Sequence, residues 1–169
     1  MTPLIDLPQH AEARRGLKLT IPEFYNFGFD CIDRRAREAD KTAFIFVDAN
    51  SGAERAFSFG DLSRASNRFA NVLLGLGAKK GDFAFSMIPR IPAWYETLIG
   101  CIKTGVVGMP GTNLLQPKDI EYRLNKSRAR FAIVTAEHAA KIDAVRAKCP
   151  HLQHCIVVGA AREGWVHYE

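Results

Sequence analysis

The amino-acid sequence predicts an α/β fold: a mostly parallel sheet with helices on both faces, preceded by a helix and a short hairpin. Three observations carry this. From residue 58 onward, helix-like and strand-like segments alternate in the order α-β-α-β-α-β-α-β. The strand-like segments are short and nearly all apolar, 83–88 (FAFSMI) and 131–135 (FAIVT) among them, as strands covered on both sides must be. Between them lie amphipathic stretches: Leu62, Ala65, Phe69, Val72, Leu73 and Leu76 recur at intervals of three and four. With right-handed crossovers these units wind doubly around one sheet.

Each element has its own justification. Residues 1–22 show little periodicity and are expected to form an extended N-terminal arm; 23–169 then make up one α/β unit. A helix is expected from about 23 to 39, with Pro22 suiting its first turn and Phe24, Phe27, Cys31 and Ile32 on one face. Residues 42–47 (TAFIFV) read as a strand, 48–52 (DANSG) as a turn, and 55–57 as a short return strand. Ser58 is placed to cap the next helix, with Asp61 completing a capping-box-like pair, and Gly75 and Gly77 suit its end. Residues 79–82 (KKGD) turn the chain into the strand at 83–88. Pro89 and Pro92 introduce a helix with Trp94, Leu98 and Ile102 on one stripe and Tyr95 and Ile99 beside it; these aromatics read as core. Gly105 ends that helix, 106–109 form a short buried strand, and Pro110-Gly111 turn the chain out of the sheet. Pro117 opens a helix to about 125, with Asp119 and Glu121 near its positive end. A strand at 131–135, a helix at about 137–148 and a last strand at 155–158 complete the series. No helix follows that last strand, so an apolar face is expected to lie uncovered, with self-association through it.

Composition excludes several function classes. The chain has 169 residues, 47% hydrophobic and 24% charged, in the range of ordinary globular domains. The net charge of +5 is spread along the sequence. Its densest basic group, Arg34, Arg35 and Arg37, is balanced by Asp33, Glu38 and Asp40, which reads as a solvated face and not a nucleic-acid patch. No apolar run reaches the roughly 18 residues of a membrane span. The first residues carry Asp6 and Glu12 with Pro3 and Pro8, unlike an Arg-rich amphipathic leader, and a cytoplasmic location is expected. Cys31 and Cys101 read as buried free thiols. The cluster at 149–155 (CPHLQHC) offers zinc-type donors, but not at finger or ribbon spacing, so no metal site is expected.

In such a sheet, ligands sit outside the carboxyl ends of the strands. Three loops leave those ends: 89–92, 110–116 and 136–140. The glycines Gly105, Gly108 and Gly111 fail as a phosphate cradle, because neither Lys-Ser/Thr nor a helix start follows them. The residues alone thus yield an α/β domain with a ligand edge and no complete catalytic set.

Several stretches carry a resemblance. Residues 57–62 (FSFGDL) look like the Thr/Ser-Tyr-x-Glu-Leu motif of adenylate-forming enzymes, and 101–110 (CIKTGVVGMP) resembles their helix-Gly-apolar-Pro motif. Between them, 80–82 (KGD) and 87–96 (MIPRIPAWYE) also match, in the same order. Asn26-Phe27-Gly28 and the run ending at Asp40 are similar to the medium-chain and acetyl-CoA synthetase group. The resemblance covers about 22–160. It implies the N-terminal part of an AMP-forming acyl-CoA synthetase, which joins a small-molecule carboxylic acid to ATP and passes the acyl group to coenzyme A. It implies ATP, coenzyme A and Mg in the parent enzyme, in the setting of fatty acid metabolism. The family's phosphate loop and catalytic lysine belong to later segments, so this chain alone is expected to be inactive, without catalytic residues and without tight cofactor binding. Carried over by position, Thr112, Asn113 and Leu114 correspond to residues bordering the pantetheine tunnel, where a related enzyme has Phe-Gly-Gly. Lys141 corresponds to a basic residue near the 3′-phosphate of coenzyme A. Arg90 reads as a surface arginine that orders the 89–92 loop. Two other readings stay open: a non-catalytic interaction or regulatory module derived from the fold, and a small nucleotide-binding α/β protein, against which the missing glycine fingerprint argues.

Overall fold

Alternating apolar segments with helical crossovers between them build a five-stranded parallel sheet. The computed structural model describes residues 7–38 and 40–168. The strands are β3 (Phe83–Met87), β4 (Val107–Pro110), β5 (Phe131–Thr135), β6 (His154–Val158) and β7 (Val166–Tyr168). They lie in the order β4-β3-β5-β6-β7, all parallel. The chain adds β4 on one side of β3 and β5 on the other. The strand order therefore reverses beside β3, and the crevice at its carboxyl end is where such sheets take ligands.

Period-2 alternation sends side chains to opposite faces. Ala84, Phe131, Ile133, Ile156 and Val158 pack with Phe69 and Leu73 of α2 (Phe59–Gly75) and with Ala93 and Cys101 of α3 (Pro92–Thr104). Phe85, Met87, Ala132, Val134 and Cys155 pack with Ile120 and Leu124 of α4 (Pro117–Ser127) and with Ile142 and Val145 of α5 (Ala139–Arg146). Both faces are covered. The expectation of an uncovered apolar face is not met: Ile156, Val157 and Val158 of β6 are all buried. The helices cover both faces of β6, and its free edge is paired by β7, which sequence reading missed. Its Tyr168 donates to Glu96 Oε2 at 3.1 Å and stands edge-on to Phe69. Self-association therefore finds no support from the sheet.

The hairpin forms as expected from β1 (Thr42–Val47) and β2 (Glu54–Ser58), paired antiparallel. Asp48 Oδ1 accepts from the amides of Asn50 and Ser51, and Gly52 turns the chain at a φ of 70°. Phe44 stacks on Phe57 and reaches Tyr95, seating the hairpin on α3.

The N-terminal expectations need correction. Within the supposed extended arm the chain forms a helix, α1 (Leu7–Gly16), because good helix formers follow Pro8 and Pro is tolerated in a first turn. The part of the arm before residue 7 lies outside the described residues. The helix expected over 23–39 is instead a π-helical turn at Phe27–Asp33, continued briefly; Ala39 lies outside the described residues. Asn26 sets its start by accepting from the Gly28 amide at 2.9 Å, while its own amide donates to Asp30. Phe24 and Phe27 are exposed and share no buried face with Ile32. The turn is docked by Lys103, whose side chain is 2% exposed and donates to Asp33 Oδ1 at 2.6 Å and Asn67 Oδ1 at 2.7 Å. One further correction concerns β4: it is an edge strand, and Val107 is exposed.

Candidate functional site

The three loops singled out from the sequence meet at one edge of the sheet. Their strands run parallel, so all carboxyl ends point the same way. Two clefts open there. The smaller, about 440 Å³, has Pro89, Arg90 and Trp94 on one wall and Pro110 to Asn113 on the other. The larger, about 660 Å³, lies over the ends of β3, β5 and β6, lined by Pro89, Pro92, Thr135 and Glu137 among others. Arg55 of β2 and Arg68 of α2 also border it. Sequence reading missed both arginines, because they precede the sheet and no motif spacing links them to its edge.

Local chemistry shapes the loop after β4. The Gly111 amide donates to Ser86 O at 2.7 Å, which carries the chain across the end of β3. A Cβ on Gly111 would stand 2.8 Å from Leu115 Cδ1 and 2.9 Å from Phe85 Cε2, so both side chains would have to shift to admit one. Thr112 then makes a turn, its Oγ1 accepting from the Leu114 amide at 3.3 Å and its carbonyl from the Leu115 amide at 3.2 Å. Leu115 points inward at 9% exposure, whereas Leu114 is 82% exposed. The Asp119 carboxylate accepts from the Gln116 amide at 3.1 Å and secures the start of α4.

The structure brings all four residues carried over by position to this loop. Thr112 and Asn113 line the smaller cleft, and Leu114 projects beside them. Lys141, in the first turn of α5, donates from Nζ to Asn113 O at 2.8 Å and to Leu115 O at 3.0 Å. Arg90 is exposed on the opposite wall. Trp94 is partly buried against the core while also lining the cleft, so it serves both.

Two buried polar atoms at this edge stand out. Among the described residues, Thr135 Oγ1 and His138 Nε2 are buried without a hydrogen-bond partner. Glu137 Oε1 lies 3.1 Å from that His138 nitrogen but without hydrogen-bond alignment. Unsatisfied polar atoms are rare in folded cores; Thr135 lies where β5 opens into the larger cleft, and His138 follows three residues later. The opposite edge of the sheet is tied shut. There Arg130 pairs with Asp82 and donates to Gln153 Oε1 at 2.9 and 3.0 Å.

Among the described residues no group of three or more His, Cys, Asp or Glu is placed to hold a metal ion. Cys149 and Cys155 are buried and do not converge with His151 and His154 on a common point. Burial raises both thiols, Cys155 to about 11, and pushes Cys101 up to about 12. His154 stacks on Phe131, and burial lowers its pKa. No helix among the described residues is long and apolar enough to cross a membrane.

Known proteins are similar to this chain in sequence and in fold. The family model described as AMP-binding enzyme matches residues 32–167. The chain is similar to the mitochondrial acyl-coenzyme A synthetase ACSM5 of Homo sapiens, 38% identical over 156 residues, covering 88% of this chain and 27% of that protein. It is also similar to the mitochondrial synthetase ACSM3 of Mus musculus, 36% identical over 160 residues, 90% of this chain and 27% of that protein. The chain thus spans about a quarter of the length of the curated relatives it matches. Among solved structures, the anthranilate CoA ligase AuaEII in complex with anthranoyl-AMP matches with a TM-score of 0.75 at 27% identity, covering 88% of this chain and 28% of that one. A Brucella canis acyl-CoA synthetase shares the fold with a TM-score of 0.76 at 22% identity, over 93% of this chain and 29% of that one. The names of the curated relatives overturn the cytoplasmic expectation, since they are mitochondrial proteins; overall composition carries no signal of compartment. With the family model matched across most of its length and the same sheet found in the ligases, the chain belongs to the AMP-binding enzyme family.

Proposed function

We propose that this chain is the N-terminal α/β region of an AMP-forming acyl-CoA synthetase, and that it supplies part of the coenzyme A side of the active site. The whole enzyme would attach a carboxylate oxygen to the α-phosphorus of ATP, releasing pyrophosphate. The thiol of coenzyme A would then attack the acyl carbon, expelling AMP and leaving a thioester. Phosphoryl chemistry needs donors aimed at the transferring group and a metal ion to hold its charge. The residues here do not fit ATP or Mg: there is no phosphate-binding glycine loop, and no carboxylate group converges on a metal position among the described residues. Those parts are assigned to other segments of the enzyme.

The observation that supports the coenzyme A side is the smaller cleft. It is bordered by Thr112 and Asn113, opens between two strand ends, and has the exposed Leu114 at its rim. An extended pantetheine arm needs a narrow wall with a few polar groups, and a Thr-Asn turn beside Pro89 and Trp94 offers that. The carboxylic acid substrate is assigned no residue in this chain. The test is carboxylate-dependent exchange of pyrophosphate into ATP. The purified 169-residue chain is expected to show none, and the whole enzyme is expected to show it; exchange by the chain alone would overturn the division of labour.

A further inference from the structure

We propose that Lys141 is a positioning residue: it holds the 112–116 loop in the shape that forms the wall of the smaller cleft, and it does not serve as a ligand for the 3′-phosphate. The inference rests on the coenzyme A reading of that loop. Three consecutive carbonyls of the loop are tied. Asn113 O and Leu115 O accept from the Lys141 ammonium at 2.8 and 3.0 Å, and Leu114 O accepts from Gln116 Nε2 at 3.1 Å. Charge-assisted bonds of this length are among the stronger hydrogen bonds of a protein. The ammonium reaches the loop from α5, a separate element 26 and 28 residues further along the chain. With the carbonyls on either side of it fixed, Leu114 faces solvent while Leu115 enters the core. The loop's two ends are held separately, by the Gly111 amide on Ser86 O and the Gln116 amide on Asp119. Between them its own hydrogen bonds are one short turn at Thr112 and the Gln116 side-chain contact.

The same geometry argues against a phosphate role. Two of the three ammonium donors are used on main-chain oxygens in a partly buried site. A phosphate that drew the ammonium away would leave Asn113 O and Leu115 O without their partner, at a cost comparable to what the new contact would gain.

Two readouts separate the roles. In Lys141→Met, which keeps the apolar stem, amide hydrogen exchange at 112–116 is expected to quicken by roughly tenfold, with Lys141→Arg restoring most of the protection. In the whole enzyme the Met variant is expected to raise KM for coenzyme A and for 3′-dephospho-coenzyme A by the same factor, about tenfold, with pyrophosphate exchange unchanged and the Arg variant rescuing both. Unchanged loop exchange would overturn the clamp. A penalty seen with coenzyme A but not with its dephospho form would also overturn it, in favour of direct phosphate contact. Faster loop exchange with both KM values unchanged would show a clamp on a loop that coenzyme A does not use, and would sink the reading on which the positioning role rests.

Discussion

At the residue scale, single side chains do more than the motifs around them suggest. Lys103 lies within the stretch that resembles the family's helix-Gly-apolar-Pro motif, yet its ammonium is a buried tie between the π-helical turn, α2 and α3. Replacing it with Met removes the ammonium from Asn67 and from Asp33, which keeps only its Ser63 hydroxyl donor. Asp33 is only half-buried, so Lys103→Met is expected to lower urea stability by about 2 kcal/mol. Gly28 adds to the constraint, since a Cβ there would come within 2.4 Å of Lys103 Cγ. Ser58 and Asp61 form the reciprocal cap of α2, at 3.1 and 3.0 Å. Ser58→Ala is expected to cost about 1 kcal/mol, read from the denaturation midpoint. Hydrogen bonds from Ser58 hold the Asp61 carboxyl below its ordinary value. A carboxyl whose folded pKa is lowered stabilises the fold above its unfolded value and loses that contribution as pH falls through the folded one. The acid limb of the stability curve should therefore flatten in Asp61→Asn. Thiols give a further check. Cys101 and Cys155 stay protonated at neutral pH, and with Cys149 they are buried, whereas Cys31 is partly exposed. Alkylation of the native chain at pH 8 is expected to label Cys31 alone, as mass mapping would show.

At the scale of elements, the packing of α2 on α3 sets the inner face of the sheet. Gly100 makes it possible: a Cβ there would lie 3.0 Å from Ser66 O, 3.1 Å from the Ala70 amide nitrogen and 2.8 Å from Phe69 Cδ1. Backbone atoms cannot swing aside, so Gly100→Ala is expected to destabilise by about 1–3 kcal/mol despite its better helix propensity. Elements like these were legible because each carried two independent signals. The helices α2, α3 and α4 had a period and a terminus: the Ser58 cap, Pro92 with Gly105, and Pro117 with Asp119. The strands β3, β5 and β6 had apolar runs between turn residues. The elements that escaped lacked one signal or both. No apolar period marks α1, and β7 is three residues held by Tyr168 against a distant helix. The π-helical turn depends on Lys103, which lies some 70 residues away. The same limit applied to the site. Its three loops could be placed from topology, because strand ends follow from strand order. The bonds from Lys141 could not, because its partners are main-chain carbonyls and carry no side-chain signature.

At the scale of the whole molecule, the two edges of the sheet differ in kind. Arg130, Asp82 and Gln153 close the amino edge with paired charges and hydrogen bonds. The carboxyl edge has two open clefts and, among the described residues, two buried polar atoms without a hydrogen bond, Thr135 Oγ1 and His138 Nε2. A fold that ties one edge and leaves the other open is built to present the open one. The chain spans about a quarter of the length of the curated relatives it matches. On the proposed function, the open edge serves the thiol half of the whole enzyme's reaction and not the adenylation half. The most direct measurement is a split of half-reactions in the whole enzyme carrying Thr112→Val with Asn113→Ala. KM for coenzyme A is expected to rise roughly fivefold or more while carboxylate-dependent pyrophosphate exchange stays at the parental rate. Equal losses in both half-reactions, or a fall in exchange alone with KM for coenzyme A unmoved, would contradict it.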